Sequence, residues 1–124
     1  MSNTPIVTHV DNVPDVDVPR SKGATIKVIL GDKEGMPHFH TRIFTLAPGT
    51  VIASHHHDTI EHEQVMLEGT MKLTVGDEIH VVKPGNVMYL PKGLPHSYEN
   101  IGDTPARFVC CIPANLPYTT NFEQ

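Results

Sequence analysis

The sequence is poor in cysteine, aromatic residues and charge, and it has no long apolar run. Its 124 residues include two cysteines and no tryptophan, and only 19% are charged. No stretch approaches the roughly 20 apolar residues of a membrane helix, so we expect no membrane partner. Cys110 and Cys111 are adjacent, and a disulfide between strand neighbours that point to opposite faces would be strained. We therefore expect free thiols and a cytoplasmic protein.

The charge balance narrows the range of partners further. Nine Lys and Arg stand against fourteen Asp and Glu, which gives a formal net charge of −5. Non-specific nucleic-acid binding needs a basic surface, so we expect no nucleic-acid partner. A chain of this length makes one domain and can bury a core without disulfides. What the sequence does have in excess is histidine, with nine residues.

Short segments with strand-like composition alternate with turns along the whole chain. Eleven Pro and nine Gly separate pieces rich in Val, Ile, Thr, Phe and Tyr. Because no window of a dozen residues carries a helical apolar stripe, this pattern predicts an all-β sandwich or closed barrel. The Val75–Glu78 stretch predicts a tight hairpin. The predicted strands are Ala24–Leu30, His40–Leu46, Val51–Ser54, Val65–Leu67, Met71–Val75, Glu78–Val82, Val87–Leu90 and Phe108–Ile112.

We expect three parts in the chain. Residues 1–22 mix valine with aspartate and proline, which favours an N-terminal arm or an edge strand. Residues 23–118 carry the predicted barrel, and residues 119–124 are a C-terminal tail. A small barrel with an exposed edge must cover it, so we expect a homodimer, with Val65 and Leu67 as outward apolar contacts and the arm available for pairing.

The histidines predict a metal site. His55 and His57 are two residues apart on a predicted strand, which puts both imidazoles on one face. His62 follows after a short turn, and His96 lies at a bend flanked by Pro and Gly. A fold that brings these segments together would present three or four nitrogen ligands to one ion. Such a set suits Mn, Fe, Co, Ni, Cu or Zn and is poor for Ca or Mg.

Two spaced motifs in this region resemble those of the cupins. The first cupin motif reads G-x5-H-x-H-x3–4-E-x6-G, and the chain has Gly49, His55, His57 and Gly69 at those positions. The second reads G-x5-P-x-G-x2-H-x3-N, and every position is matched from Gly85 through His96 to Asn100. The resemblance covers residues 40–112 and implies a double-stranded β-helix, or jelly-roll, cupin barrel.

The acidic position of the first motif departs from the cupin pattern. Glu61 has the expected distance from His57 but not from Gly69, whereas His62 is separated from Gly69 by the six residues that the motif requires. The chain therefore resembles the four-histidine cupins. This resemblance implies one divalent transition metal per chain, with Mn or Fe preferred and Zn, Ni, Co or Cu as alternatives. The expected ligands are His55, His57, His62 and His96, and Glu61 is the alternative to His62.

Several further residues are expected to line a substrate pocket near this metal. Strand alternation places Arg42 on one face with His40 and Phe44, from where it could hold a carboxylate or enolate. Gln64 shares a face with His62, and Tyr98 shares one with His96. Arg42, Glu61 and Tyr98 are the candidate catalytic residues. The expected pocket residues are Arg42, Gln64, Tyr98, Phe108, Cys110 and Ile112.

The cupin barrel hosts several kinds of function, so the fold leaves alternatives open. The first expectation is a metal-dependent, dioxygenase-like oxidoreductase that acts on a small carbonyl or enol substrate. The second is a non-redox lyase or isomerase of a small oxygenated acid or sugar acid, in which the metal polarises a carbonyl. The third is a metal- and ligand-binding module without turnover.

Overall fold

The computed structural model describes residues 4–123, so residues 1–3 of the expected arm and residue 124 of the expected tail lie outside the described residues. Two 3-10 turns occur at Val10–Asn12 and Asp32–Glu34. No helix in the described range is long and apolar enough to cross a membrane. The strands are β1 (Val16–Asp17), β2 (Ala24–Leu30), β3 (Phe39–Leu46), β4 (Val51–His56), β5 (His62–Glu68), β6 (Met71–Val75), β7 (Glu78–Val82), β8 (Val87–Leu90), β9 (His96–Asn100), β10 (Ala106–Pro113) and β11 (Asn121–Phe122).

These strands form two antiparallel sheets. One has six strands in the order β1-β2-β3-β10-β5-β8, and the other has five in the order β11-β4-β9-β6-β7. The all-β prediction is therefore confirmed. The predicted hairpin is present as well, because β6 and β7 pair from Val75 and Glu78 across a two-residue loop whose first residue, Gly76, has a φ of 55°.

The strand bounds show where composition alone was sufficient. Strands β2, β6, β7 and β8 have the predicted limits, while β3, β4, β5 and β10 extend beyond them. The prediction missed β9, whose sequence His-Ser-Tyr-Glu-Asn has little strand propensity. That segment is a strand because it pairs with β4 on one side and β6 on the other. The prediction also missed the two-residue strand β11, whereas β1 lies within the stretch expected to be an arm or an edge strand.

A continuous apolar core lies between the sheets. Strand β10 shows how it is built, since its residues alternate between buried and half-buried along the whole strand. Phe108 is fully buried, with its ring stacked 5.0 Å from that of Phe44 and 5.0 Å from that of Tyr98. Burying one such ring stabilises the fold by about 1.5–3 kcal/mol.

Two motif residues serve the fold rather than a site. Gly69 has a φ of 79°, and a Cβ there would lie 2.6 Å from the carbonyl oxygen of Pro105, so a larger residue does not fit. The side chain of Asn100 is buried and donates to the carbonyl oxygens of Leu46 and Thr104 at 3.0 and 2.8 Å. Both residues hold the loops that join neighbouring strands.

The two ends of the described chain fold back onto the barrel. β1 pairs with β2, and β11 pairs with β4, so each end extends one sheet by a short strand. Lys27 ties the first of these ends down, because its Nζ donates to the carbonyl oxygen of Val13 at 2.6 Å. The boundaries of the arm, barrel and tail stay a prediction.

Candidate metal centre

Three histidines from two neighbouring strands converge on one point. His55 on β4 pairs directly with His96 on β9, and a register shift in β4 precedes this pair. His57 follows the end of β4. The nearest ligand nitrogens of these three residues all lie within 4.8 Å of one another. They are therefore close enough to share one cation.

Each of these three imidazoles is oriented by a backbone carbonyl. Nδ1 of His55 donates to Ala53 at 2.7 Å, and Nδ1 of His96 donates to Leu94 at 3.1 Å. His57 Nδ1 donates to the carbonyl oxygen of Thr119 at 3.0 Å. Since a carbonyl oxygen only accepts, Nδ1 carries the proton and Nε2 keeps its lone pair free. Metal-binding histidines are commonly oriented in this way, with the ring nitrogen that does not bind the metal donating to a carbonyl oxygen.

His62 lies beside this group but is not one of the three. Its ring centroid is 5.1 Å from that of His96 and 5.2 Å from that of His57. The side chain is buried, and within residues 4–123 its Nδ1 has no hydrogen-bond partner. Three imidazoles are thus close enough for a common ion, and membership of the four-histidine group stays a prediction.

Glu61 points away from the histidines. It is exposed, and its carboxylate accepts a hydrogen bond of 2.5 Å from the Tyr89 hydroxyl on the outer surface. The alternation along β5 explains this, since His62, Gln64 and Met66 are buried while Glu63 and Val65 are exposed. The structure therefore puts His62, and not Glu61, beside the other imidazoles.

Burial keeps the imidazoles neutral. Desolvation lowers the pKa of His62 to about 2, with further lowering by His96 and by the Arg42 guanidinium. Desolvation likewise lowers the pKa of His96 to about 3, and it lowers the pKa values of His55 and His57. Only neutral imidazoles bind cations, so the site is in the protonation state that a metal requires.

The histidines face a cavity of about 290 Å³ between the sheets. Its walls are mostly apolar, and none of the described residues that line it is acidic. Its lining comprises Val18, Pro19, Ile26, Arg42, Phe44, Ile52, His55, His57, His62, Gln64, His96, Tyr98, Cys110, Tyr118, Thr120 and Phe122.

A hydrogen-bonded polar cluster forms part of the cavity wall. Arg42 Nη2 donates to Cys110 Sγ at 3.2 Å, and Gln64 Nε2 donates to the Tyr98 hydroxyl at 2.7 Å and to Cys110 Sγ at 3.4 Å. Gln64 Oε1 and Arg42 Nε are buried without a partner among the described residues. Burial also raises the pKa of Tyr98, which keeps its proton.

Arg42 has no counter-ion in the described part of the chain. The ion pairs between residues 4 and 123 involve other side chains, and the closest aromatic contact of the guanidinium is the Phe44 ring at 5.3 Å. A partly buried cation without a carboxylate is a binding group for an anionic oxygen.

Not every expected pocket residue reaches the cavity. Arg42, Gln64, Tyr98 and Cys110 line it, whereas Phe108 and Ile112 are buried in the hydrophobic core. Conversely, sequence patterns did not point to Val18, Tyr118, Thr120 and Phe122, which line the cavity from the two ends of the chain. These segments carry no motif and no periodic pattern that could have placed them there.

The residues present fit a transition-metal cation. The donor set is nitrogen-rich and neutral, three Nε2 atoms are free of protons, and one further buried imidazole nitrogen lacks a partner. The nitrogens are contributed by His55, His57 and His96, with His62 adjacent. Such donors suit divalent first-row metals rather than Ca or Mg.

The chain is similar to known proteins in sequence and in structure. The chain is 38% identical over 63 residues to the uncharacterized protein MJ1618 of Methanocaldococcus jannaschii, a match that covers 51% of this chain and 50% of that protein. The chain spans half or less of the length of the first curated relatives that it matches. Among solved structures, the polyketide cyclase RemF from Streptomyces resistomycificus superimposes with a TM-score of 0.87 at 26% identity, covering 98% of this chain and 87% of that chain.

A second solved structure supports the architecture alone. The structure of a predicted oxalate decarboxylase from Thermotoga maritima superimposes with a TM-score of 0.78 at 20% identity, covering 88% of this chain and 99% of that chain. The two antiparallel sheets and these superpositions confirm the double-stranded β-helix, or jelly-roll, barrel. The family model described as "Cupin domain" matches residues 42–112 and so includes β4, β5, β9 and most of β10. The chain therefore belongs to the cupin family.

Proposed function

We propose that this chain is a metal-dependent enzyme that catalyses a non-redox reaction of an enolisable carbonyl compound with an apolar, aromatic-sized body. The observation that carries the proposal is the cavity itself. It combines neutral imidazoles, an arginine with no counter-ion among residues 4–123, and mostly apolar walls. The likeness to RemF, described as a polyketide cyclase, supports this reaction class, since ring closure of a polyketide proceeds through an enolate.

The charges of the groups in the cavity indicate the role of each one in the reaction. When a divalent cation is bound by the histidines, it supplies a Lewis acid for a carbonyl oxygen. The Arg42 guanidinium stabilises the negative oxygen that develops as the proton on carbon passes to a water molecule in the cavity, since none of the described lining residues is acidic. Tyr98 keeps its proton, and because its oxygen accepts from Gln64 Nε2, its own O–H is available to donate to a substrate oxygen.

The remaining walls select the substrate. Phe44, Ile52 and Phe122 offer apolar surface, so a ligand with a ring or chain next to its oxygens is favoured over a sugar. The cavity volume of about 290 Å³ leaves room for a small aromatic molecule.

A dioxygenase-like oxidoreductase is the second candidate. The apolar walls favour it, because O2 is itself apolar and enters such a cavity without loss of hydration. It needs the same cation and the same carbonyl or enol substrate. The two candidates differ in one measurable product, since only the dioxygenase consumes O2.

The test uses phenylpyruvate, whose keto oxygen suits the cation held by the histidines and the Arg42 guanidinium, and whose phenyl ring suits the apolar wall. Exchange of its carbon-bound protons with D2O is followed by NMR on Co2+- and Zn2+-loaded protein, with an oxygen electrode in parallel. We expect the metal-loaded protein to exchange the carbon-bound protons faster than the same metal ion does in buffer without protein. We expect no uptake of O2. O2 uptake that matches substrate loss would favour the dioxygenase, and binding without exchange or uptake would favour a ligand-binding module.

Arg42 provides the matched variant. Arg42→Met should lower the exchange rate by about 100-fold, the effect of removing one preorganised donor from a developing oxyanion. Arg107→Met is the control, because Arg107 lies on β10 outside the cavity and pairs with Glu68 on the surface. Equal rates in the two variants would contradict the role given to Arg42.

A further inference from the structure

The C-terminal segment, residues 117–123, is fastened to the rim of the metal site. The Thr59 hydroxyl donates to the carbonyl oxygen of Pro117 at 2.7 Å, which holds the start of the segment. At its other end, the amide of Glu123 donates to the carbonyl oxygen of Ser54 at 2.9 Å. The Glu123 carboxylate also contacts Nδ1 of His56. The segment is therefore attached at both ends, and between them Tyr118, Thr120 and Phe122 line the cavity.

The segment orients one histidine in a way that differs from the other two. His55 and His96 donate to carbonyl oxygens only two residues away along their own chain. His57 instead donates to Thr119, 62 residues away in sequence, at 3.0 Å. The ring of Tyr118 also packs edge-on against that of His57, with the centroids 5.2 Å apart. The direction of His57 Nε2 thus depends on the C-terminal segment being in place.

Arg20, which lies towards the N-terminal end of the chain, contacts this segment. The Arg20 guanidinium lies 4.2 Å from the centroid of the Phe122 ring, a cation–π contact. Arg20 holds this position with a φ of 59°, in the left-handed region that non-glycine residues avoid unless their surroundings impose it. Phe122 in turn packs against His55, with the ring centroids 5.8 Å apart.

From these contacts we infer that the C-terminal segment is a positioning element of the metal site. Its docking orients His57 through the Thr119 carbonyl, and Arg20 and Phe122 hold the docked state. Docking and cation binding then stabilise each other, because each one favours the same orientation of His57. The inference rests on the proposed function only in requiring that the histidines bind a cation.

The experiment measures cation affinity and segment docking separately in the 124-residue chain. Affinity for Co2+ is measured by competition with a chelator, and the visible spectrum of bound Co2+ reports the number of nitrogen ligands. We expect Phe122→Ala to weaken Co2+ binding by about tenfold, in the range found for partners that orient a metal-binding histidine. The spectrum should change in the direction of a lost nitrogen.

Two further variants separate positioning from a general loss of structure. Phe122→Tyr keeps the aromatic ring and should restore the affinity and the spectrum. Phe39→Ala removes a phenylalanine that is 63% exposed at the start of β3, away from the cavity, and should leave both unchanged.

Hydrogen exchange on the wild-type chain tests the reciprocal effect without any substitution. Co2+ should slow exchange of the backbone amides in residues 119–123. Unchanged exchange, or a Phe122→Ala variant that binds Co2+ like the wild type, would overturn the inference. A wild-type chain that binds no Co2+ would overturn both the inference and the proposed function. A chain that binds Co2+ with the expected coupling but does not act on phenylpyruvate would overturn only the proposed function.

Discussion

The cavity has two kinds of wall, and they were built in different ways. The barrel wall carries His55, His62 and His96 on regular strands, with Phe108 packed behind it. The terminal wall consists of Val18 from one end of the chain and Tyr118 to Phe122 from the other. The barrel wall is held by strand pairings of several residues each and by a buried core. The terminal wall is held by two-residue strands and a few side-chain contacts, so it is the part that can move without unfolding the protein.

The two walls should differ most in how much each contributes to the free energy of unfolding. Phe108→Ala should destabilise the fold by about 3–5 kcal/mol, because it leaves a cavity between the rings of Phe44 and Tyr98. Phe122→Ala should lower the unfolding free energy by only about 1 kcal/mol, the central value for single substitutions. Urea unfolding of both variants, followed by circular dichroism, makes the comparison. Similar losses would mean that the terminal wall is as integral to the fold as the barrel.

The second-largest expected effect is on the affinity of the barrel wall for a cation. His55→Ala or His96→Ala should weaken Zn2+ binding by more than about 100-fold, because a direct ligand is lost and even the loss of a group that only orients a ligand costs up to about 100-fold. His80→Ala on the exposed strand β7 is the control. Zinc content after dialysis against a weak chelator gives the result. The same assay on His62→Ala and Glu61→Ala identifies the remaining ligand, and loss in Glu61→Ala alone would contradict the predicted position of His62.

The buried imidazoles of the barrel wall also predict a pH dependence. An unfolded chain has His pKa values of about 6.5, whereas burial lowers those of His62 and His96 to about 2 and about 3. Below pH 6.5 the unfolded chain binds protons that the folded chain does not. Stability of the metal-free protein should therefore be greatest above pH 6.5 and fall as the pH drops from there towards 3.

One variant isolates this contribution. His62→Gln should reduce the slope of unfolding free energy against pH by up to about 1.4 kcal/mol per pH unit in that window. Urea midpoints at pH 7.5, 6 and 5 in the presence of a chelator measure it, and His80→Gln is the matched surface control. A slope that is unchanged in His62→Gln would mean that His62 is not buried in neutral form.

The smallest expected effect concerns the number of chains in the assembly, which depends on the outer surface of the barrel. The predicted homodimer would use the outward face of β5, where Val65 and Leu67 are each 41% exposed. Light scattering should give the mass of two chains, and Val65→Asp should shift the population towards one chain. Phe122→Ala should leave the mass unchanged, because that residue faces the chain's own cavity. A single-chain mass for the wild type would contradict the prediction.

The site residues that are close together in sequence could be predicted to lie together from local patterns alone. The site residues that are far apart in sequence could not. His55 and His57 are two residues apart, so strand alternation alone put them on one face. The same rule separated His62 from Glu61 on opposite faces of β5. Alternation also aligned Phe108, Cys110 and Ile112. It could not tell that only Cys110 reaches the cavity, since depth below the surface depends on the opposite sheet.

Strand β9 shows the same limit for the fold. Its residues have little strand propensity, and the segment becomes a strand because β4 and β6 supply hydrogen-bonding partners on both sides. The turns and the apolar strands were predicted from local composition, because those preferences act between near neighbours.

By itself, then, the sequence determined which residues share a face, where the chain turns and which nitrogen donors are available, because these depend on neighbours a few residues apart. Only the tertiary structure decided that Thr119 accepts from His57, that Arg20 stacks on Phe122, and that Arg42 lies in the cavity with no counter-ion in the described part of the chain. Contacts between residues so far apart in sequence have no local periodicity, and they form only when the two sheets and both chain ends come together.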